Sequence, residues 1–181
     1  MVRENAWFRQ PAALLRVAQR WENQRKGRSK KMTMLTREHV CFLDESVATR
    51  ADVIRRMVEQ AHRSGHVADV ERAVQAVEQR EQEGTTGFGK GIAIPHGKSA
   101  AVQAPALLFA RLAKPVDWNS LDGQPVDTVF LILVPEGAHD DHLRLLSKLA
   151  RKLMHDDFVK ALRAAVDEDQ LVDTIRGAVE D

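Results

Sequence analysis

A histidine, His96, follows a glycine-rich stretch and a proline in the run GTTGFGKGIAIPHGKS, which covers residues 84–99. Pro95 fixes its own φ and biases the residue before it to an extended conformation, so His96 is predicted to leave the end of a stiff strand at a defined angle. Gly97 is expected to leave the imidazole uncrowded. An unperturbed imidazole is largely neutral near pH 7 and offers a lone pair for nucleophilic attack. From this stretch alone, His96 can be interpreted either as a nucleophile or as a strand-end histidine that hydrogen-bonds to the backbone.

The same stretch falls one residue short of a nucleotide-binding P-loop. Gly84, Gly89 and Lys90 satisfy the pattern, but Gly91 stands where the hydroxyl that holds magnesium is required. A polar helical pattern precedes the loop and the strand-like IAI follows it, so no helix N-terminus faces a phosphate there. The order helix–loop–strand argues against nucleotide binding. The glycines instead predict a backbone that turns with positive φ and passes close to another group.

The segments around this stretch alternate between short apolar runs and amphipathic patterns. Apolar recurrence at three- and four-residue steps predicts helices, and short apolar runs bounded by turn formers predict strands. The predicted strands cover 38–43, 105–113 and 127–134, and the predicted helices cover 44–65, 68–82, 139–158, 157–164 and 168–178. This spacing predicts an α/β fold, a single domain with a mixed β-sheet flanked by helices on both faces.

The composition is that of one soluble globular domain. The chain has 181 residues, of which 44% are hydrophobic and 29% charged. Cys41 is the only cysteine and lies in an apolar segment, so we expect a small core residue and no internal disulfide. The longest apolar run, 129–134, is too short to span a membrane, and the first residues lack a secretory pattern. We expect a cytoplasmic protein with no direct membrane insertion.

The net charge of +1 conceals a basic N-terminal segment. Residues 1–31 contain nine Lys and Arg against two Glu, so the remainder is mildly acidic. We predict a basic N-terminal extension over residues 1–34, disordered or partly helical, and a separate domain over residues 35–179. Clustered cations can bind polyanions, and an alternative start at Met32 or Met34 is a further interpretation. No function is assigned to the extension, and no nucleic-acid partner is expected.

Three stretches carry a resemblance to a known family. They are REQEGTTGFGKGIAIPHGKS, VDWNSLDGQPVDTVFLILVPEGA and HLRLLSKLARKLMHDDF. In this order they resemble the enzyme IIA domain of the bacterial phosphoenolpyruvate-dependent sugar phosphotransferase system, in its fructose/mannitol class. The likeness covers about residues 37–178. The second and third stretches look more like the fructose branch than the nitrogen-regulatory branch.

The resemblance implies a phosphoryl carrier that needs neither a metal nor a cofactor. The family's phosphorylated histidine lies in the Ile-Pro-His motif, which here is His96. Its supporting histidine begins the helix after the VPEGA loop and corresponds to His142, and its arginine before the glycine-rich loop corresponds to Arg80. The implied phosphoryl donor is the phosphocarrier HPr. The implied acceptor is a cysteine of an enzyme IIB domain, which we expect on a separate chain together with a membrane IIC permease.

The expected function is therefore uptake and phosphorylation of fructose or a related sugar. The alternative is a nitrogen-type regulatory paralogue that signals by phosphorylation-dependent protein binding.

Taken without the resemblance, several of these residues have simpler interpretations. Arg80 would be a helix-surface arginine and His142 a surface residue at a helix start. His139 and His142 have a spacing that could suggest zinc, but no further ligand pair supports a site. Trp118 and Phe88 are predicted to be packing or rim residues. Lys90 is a charged variant within the loop and leaves partner preference open.

Overall fold

The computed structural model describes residues 34–138 and 141–180, with the side chains of residues 141 and 142 left out. The basic extension therefore lies outside the described residues except for Met34, and the predicted domain boundary stays a prediction. No helix in the described ranges is long and apolar enough to cross a membrane.

Strands and helices alternate along the described chain after a short 3-10 turn, Arg37–His39. The strands are β1 (Val40–Leu43), β2 (Gly87–Gly89), β3 (Ile92–Ala93), β4 (His96–Ser99), β5 (Ala106–Val116) and β6 (Val126–Pro135). The helices are α1 (Arg50–Arg63), α2 (Val70–Glu83), α3 (Asp141–Leu153), α4 (Asp156–Ala164) and α5 (Glu168–Val179).

These strands form one mixed sheet with β6 at its centre. Its order is β1-β5-β6-β3-β2, and β4 also pairs with β6. The pairs β1/β5, β3/β6 and β4/β6 are parallel, whereas β5/β6 and β2/β3 are antiparallel. The parallel register of β4 places His96 opposite Ile132.

Helices cover both faces of this sheet. Leu131 and Leu133 of β6 pack in the cluster that contains α1 and α2, whereas Phe130 and Ile132 pack in the cluster that contains α3, α4 and α5. A strand buried on both faces has a continuous apolar sequence, which explains the run at 129–134. The predicted α/β class, with a mixed sheet and helices on both faces, is confirmed.

Helix α1 begins at Arg50, six residues later than the predicted start at residue 44. A capping box sets this start, because the Thr49 hydroxyl accepts from the Asp52 amide at 3.1 Å and the Asp52 carboxylate accepts from the Thr49 amide at 3.0 Å. Such a cap stabilises a helix by about 1 kcal/mol. Upstream, the Asp44 carboxylate accepts from the Ser46 amide at 2.9 Å, which is a turn rather than a helix.

The helix predicted over 139–158 ends earlier than expected, at Leu153, and the separate helix predicted over 157–164 is α4. Tight bonds from the amides of Met154 and His155 to carbonyls three residues earlier close α3. Asp156 and Asp157 then lie in the first turn of α4, where carboxylates favour a helix start. Residues 139 and 140 lie outside the described part of the chain.

The sequence predicts that His96 leaves the end of a strand. In the structure His96 instead begins the separate strand β4. Strand pairing is interrupted at Ile94–Pro95, because proline has no amide hydrogen to donate to the neighbouring strand. The Pro95 carbonyl still accepts from the Ile132 amide at 3.0 Å, which carries the chain from β3 into β4 along the same side of β6.

Candidate active site

Arg80 and His96 meet beside β4, at the end of α2. Arg80 lies in the last turn of α2, and its Nε donates to Nε2 of His96 at 3.1 Å. A second donor of the same guanidinium, Nη1, binds the carbonyl of Gly84 at 3.0 Å. Both side chains are half-buried. The structure therefore brings together two of the three residues proposed from the sequence.

The hydrogen bonds of the His96 ring assign its tautomer. Nδ1 lies 3.0 Å from the carbonyl oxygen of Ile94, which can only accept, so Nδ1 carries the hydrogen. Nε2 accepts from Arg80 and therefore holds the lone pair of the neutral ring. The nitrogen that can act as a nucleophile is the one that faces the guanidinium.

Gly97 allows α2 to lie against β4 at this point. A Cβ atom on Gly97 would lie 2.8 Å from Cγ2 and 3.1 Å from the backbone nitrogen of Val77. Val77 precedes Arg80 by about one turn of the same helix. The missing side chain thus makes room for a helix, whereas the sequence suggested that it leaves room around the imidazole.

The glycine-rich loop before the site turns through consecutive residues with positive φ. The φ angles of Gly89, Lys90 and Gly91 are 108°, 59° and 76°, as the glycine pattern predicts. The amide of Lys90 donates to Asp122 at 2.9 Å, and its ammonium lies 2.8 Å from the carboxylate of Asp156. The Lys90 ammonium also lowers the pKa of Asp156. Lys90 therefore tethers the loop to the start of α4.

A cavity of about 420 Å³ opens beside the His96 ring. Its polar lining includes two cationic side chains, Arg80 and Lys98, and one carboxylate, Glu83. Ile132 and Val134 of β6 form an apolar wall. A cavity with an excess of positive charge next to a nucleophilic nitrogen suits a phosphoryl group.

His142 occupies the first turn of α3, where the sequence expects it, but its side chain lies outside the description. His139 also lies outside, so the zinc interpretation is not addressed at that pair. In residues 34–138 and 141–180, no group of three or more potential metal ligands is found.

The aromatic residues and the cysteine that the sequence singled out belong to the packing of the fold. Trp118 is fully buried and Phe88 packs against the core, as predicted for packing residues. Burial raises the pKa of the half-buried Cys41 thiol to about 11, which disfavours the reactive thiolate.

Sequence reasoning missed Glu81, which is only 5% exposed. The signal was present in the spacing of α2. Val74, Val77 and Glu81 recur at three- and four-residue steps, so the carboxylate falls on the apolar face of the helix. A charged residue on a buried helix face needs partners, and Thr86, in the loop that leads to His96, supplies two of its hydrogen bonds.

The chain matches a family model and several characterised proteins. The family model is described as "Phosphoenolpyruvate-dependent sugar phosphotransferase system, EIIA 2" and matches residues 33–178. A fructose-specific EIIA component of the phosphotransferase system from Haloferax volcanii is 38% identical over 149 residues, which are 82% of this chain and 97% of that protein. A nitrogen regulatory protein from Bradyrhizobium diazoefficiens is 54% identical over 98 residues, which are 54% of this chain and 64% of that protein.

Among solved structures, the crystal structure of the nitrogen regulatory protein IIA-Ntr from Neisseria meningitidis is similar with a TM-score of 0.72. Its sequence identity is 30%, and the match covers 78% of this chain and 96% of that chain. Other relatives are much longer, since this chain spans 23% of a fructose-specific EIIABC component from Bacillus subtilis.

Proposed function

This chain belongs to the EIIA 2 family of the phosphoenolpyruvate-dependent sugar phosphotransferase system and is a phosphotransferase component; on that premise, we propose that it carries a phosphoryl group on Nε2 of His96. The observation that carries the proposal is the pair of ring hydrogen bonds. Nδ1 is held by the Ile94 carbonyl, so the lone pair lies on the nitrogen that faces Arg80, and His96 and Arg80 both line the cavity.

The transfer step requires no metal and no net change of protons at His96. The P–N bond of the donor histidine breaks and leaves its electron pair on the donor nitrogen. The Arg80 hydrogen bond to Nε2 gives way to one with a phosphoryl oxygen, and the lone pair of Nε2 forms the new P–N bond. Nδ1 keeps its proton, so the phosphorylated ring carries positive charge, which the Ile94 carbonyl at 3.0 Å stabilises. In the second step the thiolate of the acceptor attacks phosphorus, and the electron pair returns to Nε2.

Arg80 has the role of stabilising the transferred group. Phosphoryl transfer depends mainly on positioning and on compensation of charge at the equatorial oxygens. A guanidinium is always charged and presents several donors in a rigid fork, and Arg80 is already within hydrogen-bond distance of the attacking nitrogen. His142 at the start of α3 is proposed as a further donor to the phosphoryl oxygens, aided by free amides of the first helical turn.

The proposed donor is phospho-HPr, and the proposed acceptor is the cysteine of an enzyme IIB domain that serves a IIC permease. The sugar proposed is fructose or a related sugar, since a relative that the chain matches over 97% of its length is named a fructose-specific EIIA component.

Intact-mass spectrometry after incubation with phosphoenolpyruvate, enzyme I and HPr tests the site. The wild-type chain should gain about one phosphoryl group, and His96→Ala should gain none. His155→Gln is the matched control, because that histidine lies at the exposed start of α4, outside the cavity. Full labelling of His96→Ala would refute the assignment. His142→Ala should be labelled more slowly, and unchanged rates in both directions would remove His142 from the proposal.

The second candidate function is regulation through phosphorylation-dependent protein binding. It is favoured by the 54% identity to a nitrogen regulatory protein over 98 residues. The two functions differ in the acceptor. Rapid discharge of the phosphorylated chain to a fructose-type enzyme IIB supports transport. A phosphorylated chain that is stable in the presence of IIB domains, and whose phosphorylation changes its affinity for other proteins, supports regulation.

A further inference from the structure

Glu81 is a buried carboxylate at the end of α2 that accepts hydrogen bonds from several sides. Its Oε1 accepts from the hydroxyl of Thr86 and from Nε1 of Trp118, the latter at 3.4 Å. Its Oε2 accepts from the amide of Thr86 at 3.3 Å and lies 3.8 Å from the guanidinium of Arg50. The side chain itself is 1% exposed, so Glu81 cannot contact a partner protein directly.

The partners of Glu81 connect it to both halves of the site. Arg80 is its covalent neighbour, about 100° away around the helix, and reaches Nε2 of His96. Thr86, the partner in the loop, accepts from the Ile94 amide through its carbonyl at 3.0 Å. The Ile94 carbonyl in turn binds Nδ1 of His96. Contacts therefore form a closed ring from Glu81 through Thr86, Ile94 and His96 to Arg80.

The ring explains why a carboxylate stands at a position where the helix pattern calls for an apolar residue. Burying a charge is unfavourable unless it is paired and hydrogen-bonded. Any movement of the Glu81 partners away from its carboxylate therefore lowers the stability of this part of the fold. The hydrogen bonds of Glu81 therefore favour one position of the loop at Thr86 relative to the last turn of α2. That placement sets the 3.1 Å separation between Arg80 and His96.

We propose that Glu81 is a positioning residue for phosphoryl transfer, which acts mainly through Arg80 and to a lesser extent through the Thr86–Ile94 segment on His96. This inference rests on the proposed function of His96. A displacement of about 1 Å in a reacting group can slow an enzymatic step roughly 100-fold, so a small loss of order at Glu81 should be visible in the rate.

The substitution Glu81→Gln removes the acceptor at the Oε2 position while keeping the volume of the side chain. The amide oxygen of glutamine can replace Oε1 toward Thr86 Oγ1 and Trp118, but its NH2 group would then face the Thr86 amide and Arg50, which are also donors. Thr86→Val removes the hydroxyl from the same network, and Thr86→Ser retains it. Glu78→Gln, on the same helix, removes an equal charge and is the matched control.

Single-turnover transfer from phospho-HPr at varied donor concentration measures the maximal rate and the half-saturating concentration separately. For Glu81→Gln we expect a maximal rate at least about tenfold lower and a half-saturating concentration within about threefold of wild type. Thr86→Val should be slowed in the same sense, and Thr86→Ser and Glu78→Gln should transfer at nearly the wild-type rate. Urea unfolding of each variant identifies any that fail to fold, and Thr86→Val carries the test if Glu81→Gln is unfolded.

A double-mutant cycle with Arg80 separates positioning from general stabilisation. Arg80→Ala should slow transfer about 100-fold by loss of one donor to the developing charge. If Glu81 acts largely through Arg80, then Glu81→Gln should slow the Arg80→Ala protein by no more than about threefold. Equal slowing factors in both backgrounds, or a wild-type rate in Glu81→Gln, would overturn the inference. If instead the wild-type chain is not labelled at His96, the proposed function fails and the role of Glu81 with it.

Discussion

Replacing Gly97 with alanine should damage the active site without touching any group that contacts phosphate. The new Cβ would lie 2.8 Å from Val77 Cγ2, 3.1 Å from its backbone nitrogen and 3.3 Å from its Cα. Ordinary contact requires about 3.5–4 Å, and backbone atoms cannot rotate away as a side chain can. We therefore expect α2 to move outward from β4 by about 0.5–1 Å, at a destabilisation of about 1–3 kcal/mol typical of overpacked sites.

The same movement separates Arg80 from His96. Their hydrogen bond is 3.1 Å long, so an outward shift of that size places the donor beyond hydrogen-bond distance of Nε2. We expect transfer from phospho-HPr to slow by one to two orders of magnitude, on the scale of a 1 Å misplacement. Urea unfolding measures the stability change, and single-turnover labelling measures the rate.

Gly177→Ala is the matched control for this variant. Gly177 lies within α5 and its Cβ would have no neighbour within 4 Å, so the substitution should leave transfer unchanged and stabilise the helix by about 0.5–1 kcal/mol. If Gly97→Ala folds with wild-type stability and transfers at the wild-type rate, the close approach of α2 to β4 does not position Arg80, and the geometric reasoning is wrong.

Two further predictions concern stability. Burial, with a smaller contribution from the charge of His66, lowers the pKa of His39 from 6.5 to about 4. Because the unfolded chain binds this proton at higher pH, the full free energy of unfolding should be present above pH 6.5. It should fall by about 3 kcal/mol as the pH drops through 4. Urea unfolding of His39→Gln at the same pH values should not show that loss. Arg111→Lys should lower the free energy of unfolding by about 1–3 kcal/mol, because a single nitrogen on a shorter side chain replaces the planar fork whose two Nη atoms donate to the Leu162 and Ala165 carbonyls at 2.6 and 2.9 Å. An unchanged urea midpoint would contradict this role.

Local patterns predicted most of the elements and supplied the residues proposed for the chemistry. The apolar spacing of α1 and α2 and the buried run of β6 correspond to elements of the structure. A helix does precede the glycines and strand β3 follows them, but Gly87–Gly89 between the two form strand β2, which was not predicted. Element starts were less predictable. Asp44 and Thr49 are both plausible helix starts, and only the bonds that each makes distinguish the turn from the capping box. Pro95 accounts for the break before His96, but the register in which β4 then pairs with β6 is not specified by any local pattern.

The sequence by itself determined which faces of the helices are apolar, which strands are buried, and that a histidine behind a proline follows a glycine-rich stretch. These features follow from the fixed periods of helix and strand, which act over a few residues. The tertiary structure alone decided that Arg80 reaches Nε2, that Ile94 holds Nδ1, and that Glu81 is buried among donors from three segments. Those outcomes depend on strand register and on how closely α2 packs against β4, and such distances are set by contacts between residues far apart in the chain.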